Sequence, residues 1–595
     1  MNTKILNIKN LMVGALLSVS LAGCIDMDVV PPTTIGQETF WKTEKDAWYA
    51  LNACYATLPG CGVYQDAYVD NAFCPYPWES SASAGQVDGI SAANDEGYNF
   101  EAIRSCNIFI SKVDGVDMDE DVKARMKAEA RFIRAMKYMD MTLTFGKVPL
   151  ITDVPEYSAA NVARDEVSKV RSFVLTELGE VAEILPPSYG GGYLNEKGRI
   201  TKWAAYALKA RAALYFGDYT TAEAAAQKVM TEGGFSLFKI SSLNAKQQKE
   251  ADEMDIYVDF AALGLNKDDF MKGMFSYEAV WHTENGNPNN PEYILSHEYM
   301  SGNADYADLI RYTNMRPDQL VLGWSSIVPM QDLVDAYWDA KGNVQPTPPT
   351  VEQREAGFNQ IREEAEDWIA ADEENRTFRD YVTTHKDNFK NYAYTQEFRN
   401  RDSRLYVSIM FPFKGWYETD AGEDFAYEWR KGKGNESMSG YNFRKMVALS
   451  SNTLLWGAYP SAEGDYPIIR YAEILLTFAE ARIMNSGWDG QVENALNELR
   501  DRCGMPHVAA QSGQDAINFV RNERRIELAG EGHRYYDLRR YEFDYSKKLM
   551  AKATYKPDGE LLADKVWTER MILMPIPQDA MDLNPLLRGD QNPGY

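Results

Sequence analysis

Residues Thr201–Met230 read TKWAAYALKARAALYFGDYTTAEAAAQKVM, and this stretch decides how the chain is organised. Thr201 precedes a run whose apolar and small residues keep helical spacing up to Phe216. Gly217-Asp218-Tyr219 breaks that run, and a second helical run follows to Met230. Ala210, Ala213 and Ala222 are small enough to let the two helices approach closely, and Tyr206 holds a large aromatic place. This is the plan of a tetratricopeptide-type hairpin, whose repeat is about 34 residues.

The same plan recurs outward in both directions. Upstream, TEKDAWYALNACYATL from Thr43 opens with a Thr cap and acids in its first turn. Further helices are predicted over about 98–113, over DVKARMKAEARFIRAMKYMDMTLTF from Asp121, and over about 167–185. Downstream, IIRYAEILLTFAEARIMNSGWDGQVENALNELRDRCG places two helices around Gly487, with Ala479, Ala481 and Ala495 as small residues. The expected fold is mainly α, a tetratricopeptide-like helical-hairpin scaffold with hairpins near 38–113, 121–185, 200–231 and 468–503. Residues 235–460, rich in Gly, Pro, Asn and Tyr, are expected as a long, irregular, loop-rich lobe on one domain spanning 38–595. Within that lobe VPMQDLVDAYWDA and TVEQREAGFNQIREEAEDWIAADEE read as helices, the second charged enough to be solvated, and RLYVSIMFP reads as β-like.

The N-terminal segment has its own logic. Lys4 and Lys9 precede an apolar run, Leu11–Ala22, that is short of the ~20 residues of a membrane-spanning helix. Leu21-Ala22-Gly23-Cys24 resembles a bacterial lipobox, in which the cysteine is acylated. Residues 1–23 are therefore expected to be a lipoprotein signal peptide, Cys24 the lipidation site and residues 24–37 a tether carrying Val29-Val30-Pro31-Pro32. Such a chain is held at a membrane by its lipid alone.

Composition excludes some partners. Over 595 residues, 88 acids against 62 Lys and Arg give a formal charge of −26, which repels nucleic-acid phosphates. Beyond Cys24 the cysteines are Cys54, Cys61, Cys74, Cys106 and Cys503; Cys61 and Cys74 flank a loop and could bridge, with buried thiols as the alternative.

No motif carries metal, cofactor or nucleophile chemistry. The five histidines have no zinc-helix spacing, since His297-Glu298 is followed by Ser301 where a second His belongs. No Gly-x-Ser-x-Gly elbow or phosphate loop occurs. Asp117–Val122, DMDEDV, imitates the start of a calcium loop, but Val122 stands where Gly is required, so the stretch reads as an acidic helix N-terminus. The densest charged segment, Arg521–Phe543 (RNERRIELAGEGHRYYDLRRYEF), reads as an ion-pair network locking two segments together, with opposite charges at spacings of three and four.

ERRIELAGEGHRYYDLRRY in that segment also resembles the C-terminal signature of the SusD/RagB family of outer-membrane nutrient-binding lipoproteins. AEARFIRAMKYMDMTLTFGKVPLI from Ala128, GRITKWAAYALKARAALY from Gly198, PMQDLVDAYWDAKG from Pro329, RNRDSRLYVSIMFP from Arg399, IIRYAEILLTFAEA from Ile468 and the terminal MPIPQDAMDLNPLLRGDQNPGY resemble further family blocks in order. Residues 346–395 extend beyond the common family length. The resemblance implies a non-enzymatic receptor that captures glycan at the cell surface and passes it to a SusC-like TonB-dependent outer-membrane transporter. Two rival readings are a peptide-binding receptor of the same family and a surface glycosidase.

A sugar ring offers one apolar C–H face and an edge of hydroxyls, so its binding residues should be aromatic planes beside polar side chains. Two loop regions have that mixture. The first holds Tyr64, Tyr68, Phe73, Tyr76 and Trp78 with Asp70, Asn71 and Glu79; the second holds Trp281, Tyr293, Tyr299, Tyr306 and Trp324 with Asn285, Asn287, Asn303 and Arg311. Trp78 and Trp324 lead, because each lies among Gly, Pro and Ser and off any apolar helical face; Tyr76, Tyr98, Trp281 and Tyr299 follow. Tyr98 is nearest to where the family carries an aromatic ahead of the NIFI helix, and Trp41, Trp48, Trp203 and Trp338 are expected in the core.

Overall fold

The computed structural model describes residues 40–595 except 79, 95, 155–160, 191–195, 197, 283–289, 299–323, 417–424, 430, 433–435 and 447–464. Its principal helices are α1 (Glu44–Tyr55), α2 (Glu101–Lys112), α3 (Glu120–Phe145), α4 (Val167–Ile184), α5 (Lys202–Phe216), α6 (Tyr219–Glu232), α7 (Lys267–Ala279), α8 (Val351–Ala370), α9 (Tyr471–Ser486), α10 (Gly490–Cys503), α11 (Gly513–Glu527) and α12 (His533–Arg540). Local chemistry sets their ends. Thr43 and Asp46 form a capping box at α1, and Gly217 ends α5 in the left-handed region at φ 81°. Asp119 accepts hydrogen bonds from the Asp121 and Val122 amides, so the calcium-like DMDEDV stretch is the N-cap of α3.

The helices stack in one row. α1 lies on α2 and α2 on α3; α3, α4, α5, α6, α9 and α10 then pack each against the next. Ala213, Leu214, Ala222 and Ala481 meet where α5, α6 and α9 converge, and all four are fully buried. The mainly α, hairpin-repeat fold class read from Thr201–Met230 is thus the fold observed, and its small residues are what bring the backbones together.

Between α6 and α9 the chain is irregular, and its strands form short two-stranded antiparallel ribbons. One joins β1 (Ala72–Phe73) to β3 (Val328–Pro329), with Ala72 opposite Pro329 and Phe73 opposite Val328. Another joins β2 (Tyr293–His297) to β4 (Tyr466–Arg470). α7 reaches the hairpin row through Gly273, where a Cβ would lie 2.1 Å from the Cys503 carbonyl carbon.

Several local expectations need correction. RLYVSIMFP is half helical: Ser403–Ser408 forms a helix and only Ile409–Met410 is extended, because Asp402 caps the turn through the Arg404 amide. In VPMQDLVDAYWDA the helix is only Gln331–Ala336, since Val328–Pro329 pairs as a strand and Tyr337 is extended. α8 is not simply solvated; Gly357, Phe358, Ile361 and Ala365 form one buried face, and Phe358 packs on Tyr394, Phe413 and Trp429. Cys61 and Cys74 do not bridge: the Cys61 thiol lies 3.6 Å from the Met446 sulfur, and all five described cysteines are free thiols.

The charged segment 521–543 is a buried ion-pair hub. Glu523 receives Arg404, Arg500 and the Trp338 indole N–H, each at 2.8 Å. Glu527 receives Arg470 at 2.8 Å and Arg404 at 3.0 Å, and also Arg502. Glu531 receives Arg470 and Lys445, both at 2.7 Å. Burial would raise the Glu523 carboxyl, but Arg404 and Arg500 outweigh it and hold it at about 2. Most of these partners are remote in sequence, so the hub ties α9, α10, α11 and the lobe together and not one helix to itself.

Candidate functional site

The loop between α1 and α2 is held from below by the hub. Arg534 donates to both carboxylate oxygens of Asp70 at 2.8 Å, and Arg525 donates to the Asn71 side-chain oxygen at 2.9 Å. Asp66 accepts from the Gly530 amide at 2.7 Å. The Gln86 amide nitrogen lies 2.8–2.9 Å from the carbonyls of Ala67, Val69 and Ala72. Asp70 and Asn71 are consequently buried, and they are struts of the loop, not the sugar-edge ligands their place among aromatics suggested.

Above these struts the aromatics come outward. Trp78 is 77% exposed, and its ring lies 5.0 Å from that of half-buried Tyr76 at an interplanar angle of 31°. Trp324, also half-buried, leads into β3. Because β1 and β3 are antiparallel, the chain after Phe73 and the chain before Val328 leave the ribbon at the same end. The ribbon therefore brings the segments bearing Trp78 and Trp324 out at the same end.

Tyr98 has its ring edge-on to Phe100 and Phe145, at 5.4 and 5.0 Å. Its neighbours Gly97 and Asn99 line a cavity of about 760 Å³, together with Tyr64, Tyr68, Ser80, Tyr535 and Tyr536. Ser80 belongs to the turn that carries Trp78, so cavity and ring pair adjoin. The Tyr68 hydroxyl donates to Glu96 and lies 2.8 Å from the Ser81 hydroxyl, which fixes the cavity wall.

Trp281 is elsewhere. It is 5% exposed, with the Lys445 ammonium 5.2 Å and the Arg470 guanidinium 5.7 Å from its ring centre. It is a core residue roofed by the hub, so it offers no platform, and Tyr293 is buried as well. Trp203 and Trp338 are buried as expected, while Trp41 and Trp48 are half-buried against the core. Tyr299, Tyr306, Asn285, Asn287, Asn303, Arg311, Glu79 and Cys24 lie outside the described residues.

Sequence reasoning missed the cavity's charged lining: Glu96, Glu101, Lys137 and Asp140. Asp140 interrupts the apolar run AMKYMDMTLTF on α3, and that interruption was the available signal. Burial raises its carboxyl, against the pull of Lys137 and Arg211. Among the described residues no group of three or more His, Cys, Asp and Glu could hold a metal, and no helix is long and apolar enough to cross a membrane.

A row of helical hairpins bearing a loop-rich lobe, with exposed Trp78 and half-buried Tyr76 beside a polar cavity, is the class of fold this chain defines. The family comparison agrees: the model described as SusD family matches residues 291–595, just over half of the chain, and one described as "Starch-binding associating with outer membrane" matches 62–214. The chain belongs to the SusD family. It is 22% identical over 607 residues to SusD-like protein P2 of Formosa agariphila, covering 97% of this chain and 98% of that one. Its fold is similar to that of a SusD-like protein from Bacteroides fragilis (TM-score 0.74, 24% identity, 94% of this chain and 99% of that one). It is also similar to that of a laminarin-binding SusD-like protein (TM-score 0.61, 20% identity, 93% and 100%).

Proposed function

We propose that this chain is a non-catalytic glycan receptor, anchored through a lipid on Cys24 at the outer-membrane surface, that captures oligo- or polysaccharide and delivers it to a partner TonB-dependent transporter. The observation that carries this reading is the Tyr76–Trp78 ring pair, its Trp exposed, at the ribbon end from which the Trp324 segment also emerges. An indole left 77% in water on a loop so firmly braced is apolar surface kept available, and a sugar's C–H face is its match. The match of residues 62–214 to a model described as "Starch-binding associating with outer membrane", and likeness to a protein named as laminarin-binding, support a glycan as the ligand.

Isothermal titration of a glycan panel including starch and laminarin fragments tests it. Trp78→Ala or Trp324→Ala is expected to weaken the best ligand by at least ~5-fold, because one stacked platform contributes on the order of 1 kcal/mol. Trp78→Ala should leave the melting temperature nearly unchanged. A panel without a binder, or full affinity in both variants, would rule out the aromatic face; release of cleavage products would reinstate a glycosidase.

A further inference from the structure

The loop that carries Tyr76 and Trp78 has two helical stems, and a cysteine stands on each. Cys54 is in the last turn of α1 and Cys106 in the second turn of α2. α1 lies on α2, and both cysteines are fully buried. Their chain neighbours Ala53 and Ser105 line the same 760 Å³ cavity, so the two stems come together directly behind its wall.

The thiols themselves meet. The Cys54 S–H donates to the Ala50 carbonyl at 3.6 Å, and the Cys54 sulfur is the hydrogen-bond partner of the Cys106 thiol. That contact, ahead of burial, raises the Cys106 thiol well above its ordinary range. The other described cysteines have different neighbours: Cys61 the Met446 sulfur, Cys74 the Tyr76 carbonyl and Cys503 the Arg502 guanidinium. Close helix packing suits the Cα separation of about 4.4–6.8 Å that a bridge needs.

Two facing thiols in an exported chain enter an oxidising compartment. We infer that Cys54 and Cys106 are joined by a disulfide in the exported protein, stapling the two stems of the loop that carries the ring pair. The inference rests on the export and capture reading and gives that site a covalent base. One thiolate attacks the disulfide of a thiol–disulfide oxidoreductase or of oxidised glutathione, and the second displaces the oxidant from the mixed disulfide. The two cysteines lose two protons and two electrons, one S–S bond forms between them, and the S–S bond of the oxidant opens to two thiols. Buried thiols are inert, so the exchange belongs to the stage before α1 closes on α2. The resulting ring, residues 54–106, holds Tyr64, Tyr68, Tyr76, Trp78 and Tyr98.

Peptide mapping tests this. The mature chain is taken from the outer-membrane fraction under iodoacetamide and digested with trypsin without reductant. Residues 46–104 and 105–112 are separate tryptic peptides, the first with Cys54, Cys61 and Cys74, the second with Cys106 alone. They are expected as one linked species that persists in Cys61→Ser and in Cys74→Ser and vanishes in Cys54→Ser. Should Cys54→Ser fail to fold, the other three maps decide the pairing by themselves. In a second arm the chain lacking residues 1–23 is refolded in oxidised glutathione or in reductant. The same link is expected in the oxidised sample alone, which should melt roughly 2–4 °C higher than the reduced one. Alkylated Cys54 and Cys106 beneath a lipidated Cys24, a link through Cys61 or Cys74 instead, or no link after oxidative refolding would each overturn the inference by itself. Free thiols with an unacylated Cys24 would overturn it together with the export reading. A linked chain that binds no panel glycan would keep the bridge and remove the capture reading.

Discussion

Arg534 grips Asp70 with two hydrogen bonds of 2.8 Å across 464 residues of chain. The pair is buried, and Asp70 is also within 3.0 Å of Arg525. Burial would raise the Asp70 carboxyl, yet Arg525 and Arg534 hold it far below its ordinary range. The loop bearing Trp78 is therefore tied to the C-terminal segment, in addition to the internal hold of Gln86 on the Ala67, Val69 and Ala72 carbonyls.

Asp70→Ala should cost roughly 3–5 kcal/mol, since it strands two buried guanidinium groups. Urea unfolding measures this. A loss below ~1 kcal/mol would mean that water reaches the arginines and the loop is braced mainly by Gln86.

Stability should fall steeply in acid. A carboxyl lowered in the folded state stabilises the fold above its ordinary pKa, and that contribution disappears as pH drops through the folded value. For Glu523 the window runs from 4.5 down to about 2. Asp70 and Glu527 are lowered too and add to the same slope. Melting temperature followed from pH 7 to pH 3 should decline below about 4.5, and more shallowly in Glu523→Gln, which starts from a lower value. A flat profile down to pH 3 would contradict the hub.

The two tryptophans should separate cleanly. Trp281→Ala removes a core ring beneath Lys445 and Arg470 and is expected to cost roughly 3–5 kcal/mol. Trp78→Ala should cost almost nothing in a thermal melt. Similar losses in both would show that the Trp78 loop packs on something in solution.

Gly273→Ala should destabilise by more than ~1–3 kcal/mol, because the new methyl meets backbone at 2.1 Å and backbone cannot rotate away. A neutral result in a denaturant titration would mean that α7 and the end of α10 stand further apart.

The scaffold was legible because helical spacing, Gly breaks and small residues recur locally, as at Ala213, Gly217 and Ala222. The aromatic face was legible only in part. Trp78 and Trp281 both sit beside turn-forming residues, and what separates them is distant: Lys445 and Arg470 cover one and nothing described covers the other. The charged segment was readable as a lock, but its partners were not. Spacings of three and four pointed within the segment, whereas Glu523 and Glu527 are held by Arg404, Arg470, Arg500 and Arg502. Asp140 escaped notice because one carboxylate in a helix looks like solvent-facing surface until a cavity is seen beside it.

The union of Asp70 with Arg534 also has a temporal meaning. A chain emerging from its N-terminus exposes the loop long before Arg525 and Arg534 exist to hold it. Contacts this far apart in sequence form late and slowly. Until they form, Asp66, Asp70 and Asn71 lack the Gly530, Arg534 and Arg525 donors that join the loop to the rest of the fold. The bridge from the Trp78 loop to the rest of the fold is thus withheld from every partial product of synthesis and conferred on the chain by its closing segment.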